Sequence, residues 1–170
     1  MEDGEVRLEP LGSAHLEGLA ELGQDPDVQR FTYVPSPWVE GFERTWLQRY
    51  DQPNGQRAGF AIVDASGEFL GMAALVRLDS DAREAVAGYI VAPAARGRGI
   101  AVRALRMLTD WSLQELGLER VELRIEVENE PSIRVAERAG FVREGVLRSV
   151  HFKQGQRADI AVYSRLATEC

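Results

Sequence analysis

The sequence predicts a mixed α/β (α+β) fold around a largely antiparallel sheet. Three observations carry that expectation. Strand-like segments come in runs joined by short turns, rather than alternating one for one with helices. Val121–Val127 alternates apolar Val121, Leu123, Ile125 and Val127 with charged Glu122, Arg124 and Glu126, the period of a two-faced strand. By contrast Ala101, Ala104, Leu105, Leu108, Trp111 and Leu116 fall within an arc of roughly 140° at about 100° per residue, the period of an amphipathic helix.

In chain order, Val6–Leu8 is a short first strand. Ser13–Gly23 reads as a helix with Ser13 as cap, Leu16, Leu19 and Ala20 inward, and Gly23 as stop. Asp25–Phe31 adds a helical turn, and Tyr33-Val34-Pro35-Ser36-Pro37 breaks the pattern. Val39–Tyr50 resumes it with Phe42, Trp46 and Tyr50 on one side, before a turn at Pro53-Asn54-Gly55. Ala58–Asp64 and Phe69–Arg77 form a hairpin around Ala65-Ser66-Gly67, and Ala85–Val91 is a third strand ending at Ala92-Pro93. A glycine-rich run then opens the long helix, which Gly117 stops. After Val121–Val127, a short helix occupies Ser132–Ala139 with Gly140 as its C-cap. Val142–Phe152 and Asp159–Leu166 close the chain as a hairpin around Lys153-Gln154-Gly155-Gln156, which gives about four helices in all.

The 170 residues suit one domain, 1–170, and a hydrophobic content of 45% suits a folded core. A net charge of −7 argues against a general nucleic-acid binder. The lone cysteine, Cys170, is the last residue and a poor place for a held nucleophile. His15 and His151 lie far apart with no ligand-like spacing, so no metal is expected. The acidic start lacks the basic and apolar regions of a signal peptide, and no apolar run is long enough to span a bilayer. No membrane association is expected, and cytoplasmic residence is the default.

The run Arg96-Gly97-Arg98-Gly99-Ile100-Ala101 follows a strand and opens a helix. Glycines let a ligand approach the backbone, the helix N-terminus offers unpaired N–H groups, and two arginines add charge-assisted bonds. These ingredients converge on a pyrophosphate. A dinucleotide fingerprint fits poorly, because Val102 stands where a third glycine or alanine belongs and the preceding strands resemble hairpins. A P-loop would need Gly-Lys-Ser/Thr, which is missing. A solvated, arginine-decorated helix start is the remaining alternative.

A second element completes the pattern. Asn129-Glu130-Pro131-Ser132 lies at the next strand-to-helix junction, where short polar side chains commonly cap, and Gly140-Phe141 closes the helix. Together, Arg96-x-x-Gly99-x-Ala101 and Asn129-x-x-Ser132 through Gly140-Phe141 resemble the cofactor motifs of the GNAT superfamily of N-acetyltransferases. The chain is similar to its Rim-type branch, which acetylates N-terminal amines of ribosomal proteins and whose relatives modify small amines. Glu144-Gly145-Val146-Leu147-Arg148, Gly155 and Asp159 before Val162-Tyr163 add to that likeness, which covers essentially the whole chain.

The resemblance implies the GNAT fold, in which acyl-CoA, here most simply acetyl-CoA, lies where two parallel strands splay into a V. Those strands would be Ala85–Val91 and Val121–Val127. Backbone groups of Ile90 and Val91 would bond the pantetheine arm like an added strand, and the Val91 amide would stabilise an oxyanion. Arg96, Gly97, Arg98, Gly99, Ile100 and Ala101, with Asn129, Ser132 and Arg134, are the implied cofactor contacts. An amine, from a peptide N-terminus or a small molecule, would attack the thioester directly.

Much of the superfamily uses a tyrosine as general acid at the position of Ala136; the Rim-type branch can use a serine, which Ser132 matches, with helix capping as its alternative role. The branch's usual glutamate is replaced by Val86, leaving Glu84 as the nearest base, with Glu126 and Glu128 as further candidates; an exposed strand-end carboxylate is the plain alternative for each. An α-amine, with a reference pKa of about 7.7–8.0, needs less help from a base than a lysine at about 10.4. Phe31, Tyr33 and Trp38 lie in the segment that walls the acceptor in this family, with buried packing as their other reading. Homodimers are common among relatives. A CoA-binding module without turnover is the competing function.

Overall fold

A computed structural model describes residues 1–50 and 55–169. Pro53 and Asn54 of the expected turn, and Cys170, lie outside the described residues. Among the described residues, seven strands form one sheet: β1 (Val6–Pro10), β2 (Ala58–Asp64), β3 (Phe69–Asp79), β4 (Glu84–Val91), β5 (Arg120–Glu126), β6 (Val142–Lys153) and β7 (Gln156–Leu166). Their spatial order is β1-β2-β3-β4-β5-β7-β6, and neighbours run antiparallel except β4 and β5. The helices are α1 (Leu16–Gln24), α2 (Pro26–Phe31), α3 (Phe42–Gln48), α4 (Ile100–Gln114) and α5 (Glu130–Arg138). A parallel pair needs a long crossover, and α4 supplies it between β4 and β5. The expected class and mostly antiparallel sheet are borne out.

Two apolar clusters cover the two faces of the sheet. Leu105 and Leu108 of α4 and Ala136 of α5 pack on one face with Leu75, Leu123 and Tyr163. Leu19 and Leu22 of α1 and Trp46 of α3 pack on the other with Met72 and Ala74. Successive residues of β3 thus enter opposite clusters, which is why that strand reads as a continuous apolar run rather than an alternation.

Several expected elements differ in extent, three of the helices among them. The long helix stops at Gln114, so Leu116 is 41% exposed rather than inward. Gly117 takes φ +66° and turns the chain, and Leu118 is the residue buried there. The first helix begins as a 3-10 turn over Ser13–His15 and becomes α-helical only at Leu16, and Ser13 does not cap it. The third begins at Phe42 because Gly41, at φ +86°, precedes it.

Arg120 ties β5 to β6 across the intervening β7. Its two terminal nitrogens each donate to a Glu144 oxygen at 2.6 Å, and one also reaches Glu122 at 3.0 Å. The Arg120 bonds, with a second from Ser164, draw the Glu144 carboxyl down to about 2. A carboxylate with a depressed folded pKa stabilises the fold above its ordinary value, and that contribution fades as pH falls toward the folded value. Glu144→Gln therefore lowers the urea midpoint near pH 7 and leaves little further effect of the substitution near pH 2. Midpoints of both proteins between about pH 7 and pH 2 check this.

Candidate active site

The site begins where the parallel strands part. β4 and β5 pair from Glu84–Arg120 to Ala87–Leu123, then run on unpaired to Val91 and Glu126. On its other edge β4 stays bonded to β3, and the Ala92 N–H donates to the Leu70 carbonyl at 2.8 Å. Antiparallel alternation then turns the backbone of Ile90 toward Met72 of β3, and those of Tyr89 and Val91 toward the gap. This corrects the expectation for Ile90, whose backbone is committed to the sheet. Tyr89 takes its place beside Val91 on the open edge.

The glycine-rich turn meets the gap at the head of α4. Gly97 and Gly99 adopt φ +75° and +78°, a left-handed conformation that glycine accepts without strain. A Cβ built on either meets no heavy atom within 4 Å, so the backbone faces open space. No side chain caps α4, and its first N–H groups have no intrahelical acceptor. The fifteen-residue helix adds a partial positive charge at this end. Ile100 is buried and anchors the turn to the core, with half-buried Ala101 beside it. Arg98 is exposed at the rim.

Arg96 departs from expectation. Its guanidinium donates to Asp25 at 2.9 Å, Asp27 at 3.2 Å and the Val91 carbonyl at 3.1 Å. It is a brace between α2 and the end of β4, and three of its five N–H donors are committed to protein. Burial of Asp25 opposes its ionisation, yet the bonds from Arg96 and the Val28 N–H outweigh that and hold the carboxyl below its usual range.

Across the gap, Asn129 Oδ1 accepts from the Ser132 N–H at 3.2 Å and so caps α5. Ser132 is not the cap. Its Oγ lies 2.7 Å from the Tyr89 hydroxyl, which also reaches the Ser132 carbonyl at 3.1 Å. Burial pushes the Tyr89 phenol up to about 12, with Ser132 partly offsetting it, so the hydroxyl stays protonated at neutral pH. Arg134 is exposed and pairs loosely with Glu130 at 3.3 Å, a contact of small energy.

Glu84 does not reach this place. It pairs with Arg120 at the closed end of the strands and bonds Arg77 at 3.2 Å, so it is corrected to a strand-end ion pair. Glu128 pairs with Arg30 at 2.7 Å, and Glu126 with His151. The three aromatics do not form one wall. Trp38 packs edge-on to Phe42 against Gly23, within the second cluster. Phe31 is half-buried under the Arg30 guanidinium, whereas Tyr33, 73% exposed, stands edge-to-face with His151 at 5.0 Å. Lys153 anchors the Tyr33 segment by donating to the carbonyls of Gln29, Thr32 and Val34. Burial lowers its pKa against the opposing pull of Glu126.

Sequence reasoning missed Tyr89, His151 and Lys153. Tyr89 carried a signal as the residue of Gly88-Tyr89 on the strand leading to the turn. The pairing of His151 with Glu126 spans β7 and leaves no local pattern.

A sequence model of the acetyltransferase (GNAT) domain matches residues 5–142. The putative ribosomal N-acetyltransferase YdaF of Bacillus subtilis is 35% identical over 150 residues, spanning 88% of this chain and 75% of that protein. Spermidine N(1)-acetyltransferase of Escherichia coli K12 is 30% identical over 152 residues, spanning 89% and 80%. Among solved structures, the ribosomal L7/L12 alpha-N-protein acetyltransferase RimL in complex with coenzyme A superposes with TM-score 0.89 at 20% identity, covering 99% of this chain and 97% of that one. The Vibrio cholerae spermidine N-acetyltransferase in complex with CoA and spermine gives 0.86 at 23% identity, covering 98% of both. At these identities the superpositions establish the shared fold.

Proposed function

The chain belongs to the acetyltransferase (GNAT) domain family, and on that premise we propose that it moves the acetyl group of acetyl-CoA onto a primary amine by direct attack. The observation that carries the reading is the unpaired β4 edge at the splay, which leads into the open glycine turn at the head of α4. Acetyl-CoA supplies an activated acetyl group and a thiolate leaving group. Its pantetheine arm matches the hydrogen-bonding edge at Tyr89 and Val91, and its pyrophosphate matches the amides of Gly97 through Ala101 with Arg98 at the rim.

The Val91 N–H is the donor for charge developing on the thioester carbonyl oxygen. Ser132 Oγ, backed by Tyr89, is the donor for the departing sulfur. A phenol near 12 is a weak acid toward a thiol whose reference pKa is about 8.5, so it stabilises charge through the serine rather than surrendering its proton outright. Peptide N-termini and small amines are both acceptors of named relatives.

Thiol release from acetyl-CoA, measured across N-terminal peptides and polyamines, tests the reading. Amine-dependent release supports it; tight CoA binding with no release for any amine points to a binding module instead.

The two arginines of the turn separate by role. Arg98→Met weakens CoA binding roughly tenfold, the scale of one charge-assisted hydrogen bond, without moving Tm. Arg96→Met lowers Tm by roughly 2–4 °C with little change in CoA affinity. Calorimetric titration and thermal melts of the two variants check the pair.

A further inference from the structure

Resting on the acetyl-transfer reading, we propose that His151, held by Glu126, is the group that takes the proton from the incoming ammonium. His151 lies on β6 with only 8% of its surface exposed. Its Nδ1 is 2.5 Å from Glu126 Oε1. An ionised carboxylate only accepts, so Nδ1–H donates and Nε2 keeps its lone pair in the neutral ring. That Nε2 is buried and has no hydrogen-bond partner among the described residues. Buried polar atoms are as a rule paired, so an unpartnered Nε2 calls for an explanation.

Its place fits the role. Glu126 ends β5 beyond the last pair with β4, on the splayed arm that leads to Asn129 and Ser132. A cleft of about 470 Å³ opens there, lined by Glu126, Glu128 and His151 together with Lys153, Arg157 and Asp159. The charged groups facing the imidazole are otherwise engaged. Arg30 bonds Glu128, Lys153 points at backbone carbonyls, Arg157 donates to the Ser149 carbonyl, and Asp159 accepts from the Ser149 N–H. Tyr33, from the segment after α2, packs its ring on the imidazole. Glu126 thus serves as the positioning residue that stabilises the imidazolium, as a carboxylate does for a proton-transferring histidine.

The protons balance. The ammonium gives one proton to Nε2, and the freed nitrogen lone pair forms the C–N bond as the C–S bond breaks. A second proton leaves nitrogen as one is gained by the CoA sulfur, and the imidazolium returns the first to solvent. Amide, thiol and one released proton result.

The test measures kcat/KM against pH, with a peptide α-amine acceptor, for wild type, His151→Gln and Glu126→Gln, and for His151→Ala with added imidazole. His151→Gln loses roughly tenfold at neutral pH, and its acidic limb moves up to the pKa of the free amine, about 7.7–8.0. Glu126→Gln shifts the limb as well, and imidazole restores turnover to His151→Ala in proportion to its neutral form. An unchanged profile in variants that bind CoA normally overturns the proposal. So does a wild-type profile whose acidic limb already lies at the amine's own pKa, whatever the variants do. A wild type that acetylates no amine overturns the acetyl-transfer reading as well, and so is told apart from failure of His151 alone.

Discussion

Ser132→Ala lowers kcat for acetyl transfer by about a hundredfold, the low end for loss of a positioned proton donor, and changes the Kd for acetyl-CoA by no more than about threefold. The asymmetry follows from what the serine does and does not hold. Asn129, not Ser132, caps α5, and the bond it accepts comes from the Ser132 backbone, which alanine retains. The helix start and the amides of α4 are therefore untouched. What disappears is the hydroxyl 2.7 Å from Tyr89, which on the proposed mechanism donates to charge arising on sulfur only as the C–S bond breaks. Such an interaction exists in the transition state and not in the bound donor, so its removal appears in kcat. Tyr89→Phe keeps the serine and loses its support, with an effect of about tenfold, one hydrogen bond's worth. Pre-steady-state kinetics with saturating acetyl-CoA separate the chemical step from product release; a normal chemical step in Ser132→Ala removes the serine from the mechanism.

The second large effect falls on binding. Valine at both Gly97 and Gly99 raises the Kd for CoA by about a hundredfold or more. Both positions have left-handed φ, where a β-branched residue is strained, and a built Cβ at either enters open space rather than protein. The folded core therefore has nothing to rearrange, while a ligand approaching the backbone meets the new side chains. Gly67 supplies the control, since it has φ +86° and equally open surroundings in the β2–β3 turn. Gly67→Val imposes similar backbone strain and leaves CoA affinity unchanged. Equal loss of affinity in both variants assigns the effect to stability instead.

The framework of the site was legible because it is written in local chemistry. Glycine spacing, a strand before the turn and a helix after it locate the open glycine turn at the head of α4, and Asn129 lies at the junction where a cap is needed. The rest depends on which distant elements meet. Arg96 reads as a phosphate ligand until the α1–α2 junction brings Asp25 and Asp27 to it. Glu84 reads as a base until strand pairing puts it at the closed end of the wedge. Ile90 and Val91 look equivalent in sequence, and only the β3 ladder decides which faces the gap. Trp38 and Tyr33 are likewise sorted by packing alone, one against Gly23 and the other against His151. Side chains whose partners lie on adjacent residues or turns could be read; those whose partners arrive through sheet order could not.

The central claim is direct transfer of acetyl from CoA to an amine in the wedge between β4 and β5. A single turnover of acetyl-labelled CoA bound to excess protein, mixed with the acceptor that performs best and quenched over time, tests it most directly. The label should pass from CoA to the amine in one phase, with intact mass showing no acetylated protein at any time. Label accumulating on the protein before the product appears, or remaining on CoA with the amine present, contradicts the account.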